Sequence, residues 1–386
     1  MNDTFLGFPR PDGRVGVRNH VLVLSVTGLT GPTARRVGRM LPLATVIAHP
    51  YGNGVIGEDA TIQRRVLRGL AAHPNLGGLV VLGGEPAKVE DAVSTATAAG
   101  RPAVGFSLAD AGHDALRLTD LAVRATARLL REASRARRVE CPLADLVLGL
   151  ECGRSDPTSG LVANPLVGRL ADRIVAAGGT AIIGETTEWL GAEHLLAART
   201  RDAAAAEAVR AAAARREALA IAAGIDLTGN NPGETNIRAG LTTIEEKSLG
   251  AIAKSGSGPI EGLLDYGERP PRAGMWVMDA PAYAPESLTG FTAAGATLMV
   301  FTTGVGNSYV SALAPTLKLS ANAETVARVD CQLDVTAEAV LEGRASLDER
   351  AEDLLQAVLD VGSGTLTFGE VLAEGDEVLA RFGASL

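Results

Sequence analysis

Cysteine, histidine and aromatic side chains are all scarce in this chain: three cysteines, five histidines and 3% Phe, Trp and Tyr among 386 residues. Three cysteines at wide, irregular spacing make neither a disulfide framework nor a paired zinc motif, and a reducing cytoplasm is the expected setting. So few aromatics leave a core to be built from Leu, Val, Ile and Ala. No apolar run approaches the ~18 residues that a membrane helix needs. The opening MNDTFLGFPRPDGRVG shows no charged-then-apolar leader. A net charge of −9, with no basic stripe interleaved with aromatics, argues against a nucleic-acid surface. The one basic cluster, Arg131–Arg138, reads as the solvated end of a helix.

What is present is globular material: 46% hydrophobic and only 21% charged residues, in a length that suits two or three domains. Short apolar runs at His20–Val26, Thr45–His49, Leu79–Leu82 and Pro102–Phe106 read as strands. Helices are expected over about 32–40, 58–72, 87–98 and 114–135. That alternation predicts a parallel sheet with helices on its faces. A boundary is expected at Cys141-Pro142, dividing the chain into α/β domains 1–140 and 141–386, both with largely parallel sheets. Beyond it, strands are expected at Leu146–Leu150, Thr180–Ile183, Met275–Met278 and Leu298–Thr302, with a helix over Asn164–Ala177. An Ala-rich helix should span Gly191–Gly224. The loop Asp226–Gly240 is long enough to expect a role for it, and Thr242-Thr243-Ile244-Glu245 starts a further helix.

His49, Glu85, Cys152, Glu185, Asp279 and Thr303 all follow the carboxyl end of an expected strand. In parallel sheets that edge forms the ligand crevice, so the active site is expected there. Cys152 and Asp156 could ligate a metal, as could Glu185, while a bland reading makes Cys152 a small apolar filler. Glu193 and His194 fall in the first turn of a helix, whose dipole keeps imidazole neutral for metal binding or base work. Lys247 becomes a base only if burial lowers its pKa. Arg238 could hold a carboxylate bidentately, and Thr303-Gly304-Val305-Gly306 could cradle an anion with backbone N–H groups. Gly52-Asn53-Gly54-Val55-Ile56-Gly57 is a literal G-x-G-x-x-G, which keeps an NAD-binding oxidoreductase open, with Glu85 as a late ribose-binding acid.

The phrases RPDGRVGVRNH, LECGRSD, SGLVANP, GETTEWLGAEHLL, GLTTIEEKSLGAIAKSG, MDAPAY, FTTGVG and APTLKLSAN together resemble the altronate/galactarate dehydratase family, whose large subunits include sulfolactate sulfo-lyases. The likeness runs from about Gly7 to Asp334. It implies a metal-dependent lyase acting on a small polyhydroxy or sulfonated 2-hydroxy acid, with iron(II) or another divalent cation. It also implies a separate small substrate-gating subunit. Family members often carry cysteines where this chain has Asn53, Gly84 and the run Val310–Ala314, so Cys152 alone keeps its thiol. The remaining hard ligands suit Mg²⁺ or Mn²⁺ as well as Fe²⁺.

The expected reaction is dehydration of an aldonate or aldarate to a 2-keto-3-deoxy acid, with sulfite elimination from sulfolactate as the alternative. His49, Glu85, Cys152, Asp156, Glu185 and Glu193 are the expected metal ligands. His194 or Lys247 would take the C2 proton and Glu188 would protonate the leaving group. Arg238, Asn231, Thr303, Gly304, Gly306, Asp279 and Lys318 would hold the substrate. A catalytically silent scaffold subunit is the reading from another class, and a homo-oligomer is expected.

Overall fold

Of the four apolar runs of the first half, the two central ones, His20–Ser25 and Leu76–Gly83, are buried on both faces, as a parallel sheet covered by helices requires, while the two edge runs are mostly half-buried. A computed structural model describes residues 4–227, 231–380 and 382. Its strands include β1 (Thr4–Pro9), β2 (His20–Ser25), β3 (Thr45–Ala48), β4 (Leu76–Gly83), β5 (Ala103–Ser107) and β6 (Val139–Pro142). Strands β2 to β5 make a four-stranded parallel sheet in the order β3-β2-β4-β5. Helices α1 (Gly31–Met40), α2 (Gly57–Ala71), α3 (Pro86–Ala98) and α4 (Ala115–Ala133) alternate with them. α4 begins where Asp114 accepts the N–H groups of Leu116 and Arg117.

The second sheet has seven parallel strands. In chain order they are β7 (Val147–Gly153), β8 (Thr180–Ile183), β9 (Ile260–Leu264), β10 (Gly274–Met278), β11 (Leu298–Thr303), β12 (Thr316–Ser320) and β13 (Val335–Thr336). In space the order is β9-β10-β8-β7-β11-β12-β13. From β7 the chain moves first to β8 on one side and returns later to β11 on the other. The crevice between β7 and β11 is therefore the topological switch point. Helices α5 (Asn164–Ala176), α6 (Glu193–Ala198), α7 (Ala203–Ala222), α8 (Ile244–Ile252), α9 (Ala284–Ala294) and α10 (Leu347–Gly362) accompany this sheet.

Several expectations need correcting. The Ala-rich stretch is two helices, because Asp202 caps Ala205 N and starts α7 afresh. Pro9 ends a strand in what reads as a turn-rich opening: β1 pairs antiparallel with β6, joining the first residues to the segment around Cys141. Strands β9 and β12 and helix α9 went unforeseen: the strands have five residues each, and α9 is buried on nearly every side, so it shows no amphipathic stripe. Of the loop 226–240, residues 228–230 lie outside the described residues.

The apolar core does not stop at the edge of either sheet. One cluster joins Leu22, Leu24 and Ile47 of the first sheet to Ile182, Met278, Phe291 and Phe301 around the second. Where α2 crosses α9, a Cβ on Gly69 would lie 2.1 Å from the Ala293 carbonyl oxygen, so only glycine permits that approach. Buried polar groups stitch the same seam. Asn75 donates to the carbonyls of Thr297 (2.9 Å) and Leu313 (2.8 Å). His73 accepts from Asn75 N at Nδ1 (3.1 Å), so its proton sits on Nε2, which donates to Ala296 O (3.0 Å). Among the described residues, no helix is long and apolar enough to cross a membrane.

Burial pushes the fully enclosed His73 down to about 3. In the unfolded chain it takes up a proton below about pH 6.5, whereas the folded chain does not until about pH 3. Stability attached to it is thus complete above pH 6.5 and falls on acidification, by about 1.4 kcal/mol per pH unit. Denaturant midpoints of the wild type and His73→Gln, compared between pH 6.5 and 5, should show the wild type losing more by about that slope.

Candidate functional site

The loops leaving β7, β8, β10 and β11 surround a cavity of about 510 Å³, lined by Cys152, Arg154, Glu185, Glu188, Asn231, Lys247 and neighbours including Tyr283 and Tyr309. β7 delivers Glu151 and Cys152, both buried. After β8, Glu185 takes a left-handed backbone (φ 55°, ψ 69°) and opens the turn Thr186–Trp189, which carries Glu188 back over the sheet edge. Such a backbone is unusual for a residue with a Cβ and marks a constrained position. Helix α8 starts where Thr243 accepts the Glu246 N–H, one residue later than the sequence pattern implies. It places Lys247 toward the cavity, and Lys254 follows seven residues on, on the same face.

These side chains form one buried network. Lys247 Nζ donates to Glu188 Oε1 (2.7 Å) and to Asn231 Oδ1. Asn231 in turn donates to Thr187 O (2.7 Å). Lys254 Nζ donates to Glu188 Oε2 (2.9 Å), Cys152 Sγ (3.0 Å) and Glu151 Oε1 (3.3 Å). The Cys152 thiol donates to Glu188 Oε2 (3.2 Å).

Protonation follows from burial against charge. Burial would raise Glu188, but the Lys247 and Lys254 ammoniums outweigh it and hold its carboxylate well below the usual range. For Glu185, burial and then the charges of Glu188 and Glu151 act together, raising it well above a normal carboxyl. Burial, then Glu188, pushes the Cys152 thiol up to about 12. Burial opposes the Lys247 charge, yet Glu188 and Glu185 prevail and raise it, so the burial-lowered lysine expected of a base is not what the structure holds and the amine is the minor form near neutral pH. The cavity wall therefore sets a carboxyl group biased toward its protonated form, Glu185, beside a carboxylate and an ammonium held in their charged forms.

Placement of the other expected site residues differs from their grouping in the sequence. His194 is exposed on α6 and does not line the cavity, and Glu193 beside it is half-buried. His49 belongs to the first sheet and is buried, with both ring nitrogens engaged there: Nδ1 lies 3.1 Å from both Tyr51 N and Tyr51 O, and Nε2 lies 3.0 Å from Gln63 Oε1. Glu85 is exposed at the start of α3. Asp156 shapes a turn instead, accepting from Thr158 Oγ1 (2.7 Å), Ser159 N (3.0 Å) and Asn322 Nδ2 (2.6 Å). Asp279 is held by Arg215 (3.0 Å), Arg216 (2.9 Å) and the Thr186 hydroxyl (2.7 Å). Arg238 is exposed and paired with Glu234 (2.5 Å), and Lys318 is buried against Glu374. The Thr303–Gly306 turn spends its N–H groups internally, Gly306 N on Thr303 Oγ1 (3.1 Å) and Gly304 N on Arg154 O (3.3 Å). The G-x-G-x-x-G loop ends at α2 with Glu58 and Asp59 in its first turn, two carboxylates where a pyrophosphate would sit.

Lys254 is absent from the expected site, and Glu151, which belongs to the polar cluster expected after Leu146–Leu150, has no assigned role there. Glu151 stands directly before the one noted cysteine, and Lys254 repeats Lys247 after two helical turns; that spacing was the available signal. Surface position makes His194 dispensable: His194→Ala should change kcat by less than about twofold in a steady-state assay, as surface substitutions do.

Glu151, Cys152 and Glu188 are the one group among the described residues whose donor atoms could share a metal, lying within 4.8 Å of one another. The same three atoms are already the acceptors of the Lys254 ammonium. With that ammonium in place the set does not fit a divalent ion.

Two family profiles match the chain: "D-galactarate dehydratase/Altronate hydrolase, second domain" over residues 7–134, and "D-galactarate/Altronate dehydratase, C-terminal" over residues 143–385. The chain is 36% identical over 381 residues to (2R)-sulfolactate sulfo-lyase subunit beta of Chromohalobacter salexigens, covering 98% of this chain and 97% of that one. It is 30% identical to the altronate dehydratase of Escherichia coli, covering 94% of this chain and 74% of that one. With the galactarate dehydratase (L-threo-forming) of the same organism the identity is 28%, over 94% and 73%.

Proposed function

Because the chain belongs to the D-galactarate/altronate dehydratase family, we propose that it is a lyase that eliminates water across C2–C3 of a sugar acid, leaving a 2-keto-3-deoxy acid. One observation carries this reading: Lys247 and the neutral carboxylic acid of Glu185 line the same cavity at the switch point. In the neutral form, the Lys247 amine takes the C2 proton. The C3–O bond breaks as Glu185 gives its proton to the departing hydroxide, which leaves as water. The resulting Lys247 ammonium lies beside the enol and stabilises its developing charge. Ketonisation then returns the Lys247 proton to C3 and the enol proton to Glu185, so both groups are restored. The general acid is thus assigned to Glu185; Glu188, ionised between two ammoniums, has no proton to give. Arg154 and the Asn231 loop stand where the substrate's anionic end would bind.

A second reading has its own support. The end-to-end match to the sulfo-lyase subunit favours sulfite as the leaving group, and sulfite departs without a general acid. A separate small subunit belongs to this proposal, since that relative is by its name one subunit of an assembly. Purified protein, alone and with a small partner chain, would be incubated with altronate, galactarate and sulfolactate, assaying 2-keto acid and sulfite. Keto acid without sulfite from a sugar acid supports dehydration. Sulfite release from sulfolactate alone transfers the assignment to the second reading, and no product from any of the three sinks both.

A further inference from the structure

We infer that the Glu151–Cys152–Glu188 cluster is a cation cage whose permanent occupant is the Lys254 ammonium, so that this chain supplies its own cation where the family resemblance leads one to expect a metal. An ammonium has three N–H donors and no acceptor. Lys254 spends all three, on Glu188 Oε2 at 2.9 Å, Cys152 Sγ at 3.0 Å and Glu151 Oε1 at 3.3 Å. Those lengths are hydrogen-bond lengths; a metal would draw the same donors to roughly 2.0–2.3 Å. The side chain is 1% exposed, beside two carboxylates that are 0% and 2% exposed. A buried acid pair of this kind requires a compensating charge, and Lys254 is in direct contact with both.

The tether is fixed at its backbone, which separates this lysine from a surface side chain that could swing aside. Lys254 sits in the turn Ala253–Ser255. Arg199 clamps the turn by donating to Ser255 Oγ (2.9 Å) and Ser255 O (2.9 Å). On the other side the turn lies against α5 so closely that a Cβ on Gly168 would be 2.2 Å from Ala253 O. A divalent ion entering the cage would have to expel an ammonium whose backbone cannot retreat. It would also have to strip the Cys152 thiol of its proton. Lys254 is then a positioning residue: through Glu188 it sets the partner of Lys247, without lining the cavity itself.

The test is a Co²⁺ titration under anaerobic conditions, read as the cobalt–thiolate charge-transfer absorption and run on wild type, Lys254→Met and Lys254→Met/Cys152→Ser. The expected result is no thiolate band in the wild type. Lys254→Met should gain one that saturates at one equivalent, and the double variant should lose it. A stoichiometric band in the wild type that Cys152→Ser removes would overturn the inference, because the ammonium would then yield to metal. So would a folded Lys254→Met, by circular dichroism, that binds no cobalt. Should Lys254→Met not fold, the wild-type titration against Cys152→Ser decides alone: a thiolate band overturns the inference and its absence supports it. The readout is spectroscopic and independent of turnover, so its failure is distinct from failure of the lyase reading.

Discussion

Lys247→Met should lower kcat by about 10²–10⁴-fold, the usual worth of a positioned acid–base group, and Lys247→Arg should fare no better. The second variant separates two roles. Arginine keeps the positive charge beside Glu188 but does not release a proton near neutral pH, so it preserves electrostatics and removes the base. Activity of Lys247→Arg within about tenfold of wild type would reduce Lys247 to a charge and end its assignment as base. The same assignment fixes a pH profile. Glu188 and Glu185 outweigh burial and raise Lys247 above its ordinary 10.5, so the amine is a small minority at neutral pH. Its population grows about tenfold per pH unit, so log kcat/KM of the wild type should climb from about pH 6 with a slope of about +1 for as long as Glu185 keeps the proton it donates, and level off where Glu185 ionises. A flat profile there would place the proton acceptor elsewhere.

The site became legible in the sequence only as far as local pattern reaches. An apolar run that stops short of Glu185 states that a strand has ended, and β8 does end at Ile183; β7 instead carries on past its apolar run through Glu151 and Cys152 to Gly153, although parallel topology still puts both ends on one edge. His49 and Glu85 obey the same rule and yet lie on the edge of a different sheet. Strand-end logic does not distinguish two sheets within one chain. Asp156, Asp279 and Lys318 show a second limit. The two aspartates follow strand ends and Lys318 lies in the middle of β12, and all three are consumed by partners distant in sequence: Asn322, Arg215 with Arg216, and Glu374. Composition does not reveal which buried charges are already matched. His194 failed for a simpler reason. Its place in a first helical turn was read correctly, but α6 has only six residues and turns that position to solvent. The reverse holds for Glu185 and Glu188, whose opposite protonation depends on which of them two lysines from a distant helix reach.

Arg18→Ala should destabilise the fold by about 3–5 kcal/mol, the cost of leaving a buried ion pair without one partner. Arg18 lies in the phrase RPDGRVGVRNH, and its geometry there is structural. All five guanidinium N–H donors are used: Nε on Glu370 Oε1 (2.7 Å), Nη1 on Val17 O (2.9 Å) and Val361 O (2.8 Å), Nη2 on Thr365 O (2.8 Å) and Glu370 Oε2 (2.8 Å). The side chain thereby ties the start of the chain to the end of α10 and the turn after it. Arg18→Lys should recover little, since a point-charge ammonium offers three donors and no bidentate fork for Glu370. Burial would raise Glu370, but its hydrogen bonds and charge contact with Arg18 prevail and lower it. Stability from the pair is therefore fully present above the unfolded carboxyl value of about 4.3 and is lost as pH falls below it. Denaturant midpoints at pH 7 should drop for both variants, and the additional loss between pH 5 and 3 should be smaller in Arg18→Ala than in the wild type. An Arg18→Ala midpoint within about 1 kcal/mol of wild type would mean that the Glu370 carboxylate finds another cation or water, and that the two ends of the chain are held together by the β1–β6 pairing.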